Sequence, residues 1–310
     1  MIPKVLSVDA CVRQRSLSMC CIEMANVTLQ EAEKVFIIHG VQENFRGDGR
    51  SCFDYRMVEL ETGVIANCNG SALVKLAETK LLAGVKAELT TPPPNVPNRG
   101  WIEVSIESTP HAHLDFEGRG GDDFAADVSQ ILMQSCNNEK LIDMKSLCVI
   151  PGQQVWVLYV DILVLGYSGN LIDAASIATK AALYDTKIQT VNVKHGENEP
   201  EIEVSDDPYD VFSLDVSNLP LLITLFRVGS EFIVDATSEE EACSKCKLVL
   251  AVSLTDTVLL KQISGPGCLH LESIKDSTEA GQELGLALQK KLLEVLQLEK
   301  NVAQKTKCLM

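Results

Sequence analysis

The chain has 310 residues, 46% of them hydrophobic and only 5% aromatic, so it can bury a large aliphatic core and is not a disordered polymer. Its 27 lysines and arginines face 43 acidic residues, a net charge of −16, which excludes a protein that grips nucleic acid with a basic surface of its own. The longest apolar run, residues 155–165, is broken by Asp161 and falls short of the roughly 20 residues of a membrane helix; the 11 irregularly spaced cysteines, with no secretory leader, read as reduced thiols of an intracellular protein.

Residues 1–23 show no period and read as a disordered extension. Thr28 and Glu31 have the spacing of a capping box that opens a helix. The turn Arg46-Gly47-Asp48-Gly49-Arg50 follows, and then strands near 56–61, 71–76 and 81–89. Residues 91–100 hold four prolines and form a loop. Ile102, Val104 and Ile106 alternate with Glu103, Ser105 and Glu107, the pattern of a half-buried strand.

Asp122 and Asp123 suit the positive end of a helix whose inner face carries Phe124, Val128, Ile131, Leu132 and Ser135. A hairpin turns at Pro151-Gly152 into the buried strand 155–165, and the Ala-rich run 172–184 reads as a helix able to lie close on a sheet. The acidic stretch 197–210 marks a boundary. Strands near 221–228, 231–235, 247–254 and 257–263 come next, and then a helix beginning near Asp276 and Glu279, with Leu284, Leu288, Leu292, Val295 and Leu296 as its buried stripe. The class is α+β, with strand runs and helices on one face occurring twice: residues 24–214 form a first domain, 215–300 a second and 301–310 a tail.

Several stretches carry a resemblance. Arg46-Gly47-Asp48-Gly49-Arg50 followed by Asp54-Tyr55-Arg56, then Asn69-Gly70-Ser71-Ala72, Gly84-Val85-Lys86-Ala87-Glu88 and Glu117-Gly118-Arg119-Gly120-Gly121, together resemble the RNase PH-like subunits of the eukaryotic RNA exosome ring. Ser205-Asp206-Asp207-Pro208-Tyr209-Asp210 and Val234-Asp235-Ala236-Thr237 are similar to one component of that ring. The match spans about 24–298, and Met24-Ala25 resembles the family's own start.

The resemblance implies the RNase PH fold (ribosomal protein S5 domain 2-like) with two pseudo-repeated halves. It implies heterodimers with other RNase PH-like subunits within a hexameric ring, S1/KH-type cap subunits, a catalytic nuclease subunit, and RNA threaded through a channel. Maturation of rRNA and turnover of mRNA and non-coding RNA follow as the expected work, in nucleus, nucleolus and cytoplasm, with no membrane association and no cofactor.

Active relatives bind phosphate in a Gly-Gly-Thr-Arg-like loop ahead of a helix, since phosphorolysis needs a cation and aimed donors for the attacking anion. The matching stretch here starts at Gly169-Asn170. Leu171 stands where a hydroxyl is wanted and Ile172 where the arginine is wanted, while Asp173 adds a charge that would repel phosphate by about 1 kcal/mol or more. Asp235 and Glu239-Glu240-Glu241 fall where active relatives carry acids; the glutamates read as a solvated helix start, and Asp235 stays a candidate general acid. The reading is a catalytically silent ring subunit with degenerate positions Leu171, Ile172, Asp173 and Asp235.

Arg46, Arg50 and Arg119 are the candidate RNA contacts, although the preferred reading of Arg50 is a structural arginine paired to Asp48 or Asp54. An active phosphorolytic exoribonuclease and an unrelated intracellular α+β binding protein are the alternatives. The GGDEF-like Gly120-Gly121-Asp122-Asp123-Phe124, the metal-like His111-Ala112-His113-Leu114-Asp115 and Cys243-Ser244-Lys245-Cys246 read as a helix cap, a loop and a packing pair, so no metal is expected.

Overall fold

The computed structural model describes residues 29–307 apart from 114–115, 117–118, 139–140, 196–199, 206, 208–209 and 255–257. The expected extension 1–23 and the expected cap Thr28 lie outside these residues. In chain order the elements are α1 (Glu31–Gln42), β1 (Val58–Thr62), β2 (Gly70–Leu76), β3 (Thr79–Thr90), β4 (Trp101–Ser108), α2 (Arg119–Cys136), β5 (Cys148–Ile150), β6 (Gln154–Gly166) and α3 (Leu171–Asp185). They continue with β7 (Ile188–Gln189), β8 (Val191–His195), β9 (Pro200–Val204), β10 (Val211–Phe212), β11 (Leu221–Val228), β12 (Glu231–Val234), α4 (Ser238–Cys243), β13 (Cys246–Val252), β14 (Val258–Ser264) and α5 (Leu271–Lys307).

Two sheets organise the α+β fold. The first runs β1-β2-β3-β6-β4, antiparallel except for β4, which lies parallel to β6, and β5 pairs with the start of β6. The second runs β12-β11-β13-β14, antiparallel throughout. In the parallel pair Ile102 faces Leu158, Val104 faces Val160 and Ile106 faces Ile162, so the period-2 apolar residues of both strands reach one buried face.

Helix α3 lies between the sheets, touching β2 and β3 on one side and β11 on the other. Every residue from Leu171 to Leu183 is buried. Ala174, Ala175, Ala178, Ala181 and Ala182 give it the slim profile this position demands. The closest approach is at Gly70 of β2, where a Cβ would sit 2.6 Å from the Ala182 carbonyl oxygen and 2.5 Å from Thr186 Oγ1. A buried lysine, Lys180, donates to the Ser217 (3.1 Å) and Leu219 (2.7 Å) carbonyls and ties α3 to the segment leading into the second sheet.

Several elements differ from their sequence expectation, each for a tertiary reason. Helix α1 opens after Gln30, whose N–H donates to the Glu33 side chain, so the box found here sits two residues beyond Thr28. Although it precedes the first sheet in the chain, α1 packs on the second half: Val41 shares a cluster with Phe226, Val228, Ile233 and Ala236. The acidic stretch 197–210 contains β9, which pairs with β8 as a hairpin.

Helix α5 begins at Leu271, earlier than the charge pattern near Asp276 suggests, and continues to Lys307, into the segment expected as a tail. Leu292 and Leu296 are buried, but Val295 is 42% exposed. Gly281 and Gly285 lie directly against Leu250 and Val252, so small residues also belong to the contact surface.

Replacing Gly70 with alanine would push α3 off β2, an overpacking cost of about 1–3 kcal/mol. The expected result is a lower urea midpoint with an unchanged m-value; an unchanged midpoint would contradict the close approach.

Candidate functional site

The site is built where the strap between α1 and β1 crosses the heads of α3 and α4. Within the strap, Asp48 accepts from the backbone N–H (3.2 Å) and Nε (2.6 Å) of Arg50, while Asp54 accepts from the backbone N–H (3.0 Å) and hydroxyl of Ser51. These short-range bonds aim three arginines at one residue of the second half, Asp235.

Asp235 is wholly buried and follows β12 in left-handed backbone conformation, φ 47°. Its carboxylate accepts from Arg50 Nη1 (3.0 Å), from the backbone N–H (2.7 Å), Nε (2.9 Å) and Nη2 (2.8 Å) of Arg56, and from Asn170 Nδ2 (3.0 Å). Its carbonyl accepts from Arg46 Nη2 (2.8 Å) and from both Arg50 Nη atoms (3.2 Å each). Burial pushes the Asp235 carboxyl up, but the Arg56 guanidinium and backbone N–H prevail and hold it below the usual carboxylate range. Arg46 is completed by Glu240, which accepts from Nε at 2.8 Å and Nη2 at 2.5 Å. The same Glu240 closes a capping box with Thr237 at the start of α4.

At the head of α3, Gly169 and Asn170 both have positive φ, 90° and 57°. Thr79 Oγ1 donates to the Gly169 carbonyl (2.9 Å) and accepts from the Ser168 N–H (3.0 Å), pinning the loop from below. Arg56 reaches the carbonyls of Ser168 (2.9 Å) and Gly169 (3.2 Å). The Asn170 N–H donates to Glu241 Oε1 (2.8 Å), and Tyr167 OH donates to Glu241 Oε2 (2.5 Å).

Asp173 faces inward. Tyr55 OH and Thr224 Oγ1 each donate to it at 2.7 Å, and Asn170 Nδ2 at 3.0 Å. Burial pushes its carboxyl up to about 7 against the three hydrogen bonds, which favour the charged form.

Three expectations change, and the structural reading of Arg50 gains a further partner. Arg46 is only 1% exposed and its guanidinium donates to Val234, Asp235 and Glu240, so it is a core arginine with its donors turned inward rather than toward an RNA path. Arg50 is also bound inward; the Asp48 pairing is present, Asp54 contributes its carbonyl, and Asp235 is the main partner. Asp173 does not border an open phosphate seat, because it lies in the interior. Of the three glutamates only Glu239 is exposed; Glu240 and Glu241 hold the Arg46 and Asn170 contacts.

Leu171 and Ile172 belong to the main core, 1% and 2% exposed. Arg119 opens α2, and its side chain lies outside the described residues. Tyr55 and Arg56 stand in the sequence reading only as part of the Asp54-Tyr55-Arg56 motif, and Glu241 as part of a solvated helix start; the structure makes all three participants in the site. Among the described residues no group of three or more His, Cys, Asp or Glu comes together as a metal site. Cys243 and Cys246 are buried thiols.

Comparison with known proteins gives a coherent set of matches. A model of the 3′ exoribonuclease (RNase PH) family, domain 1, matches residues 54–189, and one of the same family's domain 2 matches residues 218–283. Exosome complex component Rrp42 of Thermococcus kodakarensis is 32% identical over 260 residues, covering 84% of this chain and 94% of its own. A putative exosome complex exonuclease RRP42 of Dictyostelium discoideum is 31% identical over 308 residues, covering 84% and 95%. A chain of the Archaeoglobus fulgidus exosome with RNA bound to the active site superposes with a TM-score of 0.71 at 29% identity, over 83% of this chain and 96% of that one. A chain of an archaeal exosome core gives 0.68 at 28% identity, over 84% and 95%.

The raised Asp173 carboxyl sets a pH dependence. The folded state holds that proton more tightly than the unfolded chain does, so the group's contribution to stability is full below the unfolded value and is lost as pH rises through about 7. Asp173→Asn lacks this dependence. In urea melts, wild type should gain on the variant by up to about 1.4 kcal/mol per pH unit as pH falls from 7 toward 5. A stability difference that stays constant over this range would contradict the assignment.

Proposed function

The chain belongs to the 3′ exoribonuclease (RNase PH) family, and on that premise we propose that it is a non-catalytic ring subunit of an RNA exosome, supporting 3′-to-5′ RNA processing and decay. The observation that carries the inactive half of this reading is the state of Asp235. A general acid must hold a proton at working pH and present it to the leaving oxygen. Asp235 is ionised, fully enclosed, and bonded to Arg50, Arg56 and Asn170. The α3 loop adds to this, since the side chains at Leu171 and Ile172 offer no donor and are committed to the core.

Ring membership is supported by the similarity to exosome components and solved exosome cores over more than four fifths of the chain. It is also supported by exposed apolar side chains that partner subunits would cover, Phe36, Phe45 and Phe53 with Met57 at 77%. In this reading the chain pairs with other RNase PH-like subunits in the hexamer, under S1/KH-type caps and beside a separate nuclease subunit. The net charge of −16 fits a wall whose neighbours line the RNA path with cations. Nucleus, nucleolus and cytoplasm are the proposed locations, resting on the resemblance to eukaryotic ring subunits.

The purified chain, given RNA with a free 3′ hydroxyl and inorganic phosphate, should release no nucleoside diphosphate. Co-expressed with RNase PH-like subunits it should elute in one complex with them. Phosphate-dependent release by the chain alone would overturn the inactive assignment, and a chain that stays monomeric beside every such subunit would overturn ring membership.

A further inference from the structure

We propose that Cys268 and Cys246 form a redox-modification site: Cys268 takes up a low-molecular-weight disulfide of the glutathione disulfide class, and Cys246 then displaces the carrier to leave an internal disulfide between β13 and the loop leading into α5. The inference does not depend on the catalytic state of the chain.

Spacing in the sequence favours a different pair, Cys243 with Cys246, and the fold separates those two. Cys243 ends α4 and packs with Val41, Phe226 and Val228. Cys246 opens β13 directly across from Arg227 of β11. Arg227 stands between Phe226 and Val228 in its strand, so Arg227 and Cys246 project to the face of the sheet opposite Cys243.

The thiol that does approach Cys246 comes from beyond β14. Ser264 pairs with Lys247, and the chain then folds across the start of β13. A Cβ on Gly265 would lie 2.7 Å from the Cys246 Cα and 3.2 Å from its Cβ, and the Gly267 N–H donates to the Lys245 carbonyl at 3.0 Å. Cys268 is the next residue, and its thiol is near enough to act on the charge of Cys246.

The two thiols differ as an entry thiol and a resolving thiol must. Cys268 is exposed, whereas Cys246 is 2% exposed and meets an oxidant only through its neighbour. Burial pushes the Cys246 thiol up, and the Arg227 charge opposes this. Arg227 donates to the Gly229 carbonyl at 3.4 Å and lies over the Phe232 ring, while its buried Nη1 has no hydrogen-bond partner among the described residues. A cation with an unused N–H therefore stands on the strand beside Cys246.

In the first step the Cys268 thiolate attacks one sulfur of the carrier disulfide and releases one carrier thiol. The Cys246 thiolate then attacks the Cys268 sulfur and releases the second. The two cysteines lose two protons and two electrons, and the carrier gains them.

The test treats the folded full chain with glutathione disulfide, blocks remaining thiols with N-ethylmaleimide in denaturant, and digests with trypsin, which cuts after Lys245 and parts Cys243 from Cys246. Mass spectrometry should find Cys246-Lys247 joined through Cys268 to the peptide 262–275, with Cys243 carrying the blocking group. Cys246→Ser should stop at glutathione held on Cys268, and Cys268→Ser should leave Cys246 a blocked thiol. A mixed disulfide that persists on Cys268 of wild type, a Cys243–Cys246 link, or thiols that all stay reduced would overturn the proposal.

Discussion

The structure turns on a buried ion cluster in which Arg46, Arg50 and Arg56 of one strap converge on Asp235 and Glu240 of the second half. Charges removed from water cost several kcal/mol each unless paired and fully hydrogen-bonded, and removing one partner from such a group costs about 3–5 kcal/mol. Here the pairing is dense enough to hold Asp235 in a left-handed backbone conformation that itself costs about 1–3 kcal/mol. The cluster explains why the strap lies where it does, why α1 follows it onto the second sheet, and why α4 starts at Thr237. Together with α3, which both sheets share, it joins the two halves into one body.

That arrangement also underlies the proposed inactive reading. Phosphorolysis needs an anion seat and an available proton. At the head of α3, where Gly169 and Asn170 have positive φ, the Asn170 N–H donates to the Glu241 carboxylate. In the proposed inactive reading, Asp235 serves as counter-ion to Arg50 and Arg56. A chain can therefore retain the family fold over most of its length while its polar residues at this place stabilise the fold. Engaging three arginines internally also leaves fewer cations on the surface, in keeping with a strongly acidic subunit.

Much of the fold was legible because local pattern and tertiary demand agree. The alternation of Ile102, Val104 and Ile106 survives because β4 has one face in the core, and the alanines of α3 were read as slim because they had to be. The misjudged residues are those whose partners lie far away in sequence. Nothing near Arg46 announces Glu240, 194 positions on, and a turn rich in glycine, aspartate and arginine reads as readily as an RNA contact as a buried clamp. Glu239, Glu240 and Glu241 look alike in the sequence, yet α4 sends them to solvent, to Arg46 and to α3. In α5, Gly281 and Gly285 lie directly against Leu250 and Val252, a contact that a stripe of leucines does not announce. Leu171 and Ile172 are legible in the sequence as side chains without a donor; that Glu241 meets the Asn170 N–H depends on the second half, which periodicity does not reach.

The most direct measurement of the central claim, that Asp235 is a structural counter-ion, is a double-mutant cycle between Arg56→Gln and Asp235→Asn, read from urea unfolding of the full chain. Each single variant should lose about 3 kcal/mol or more, and the pair should be coupled by about 2 kcal/mol. Single variants as stable as wild type, with no coupling between them, would contradict it.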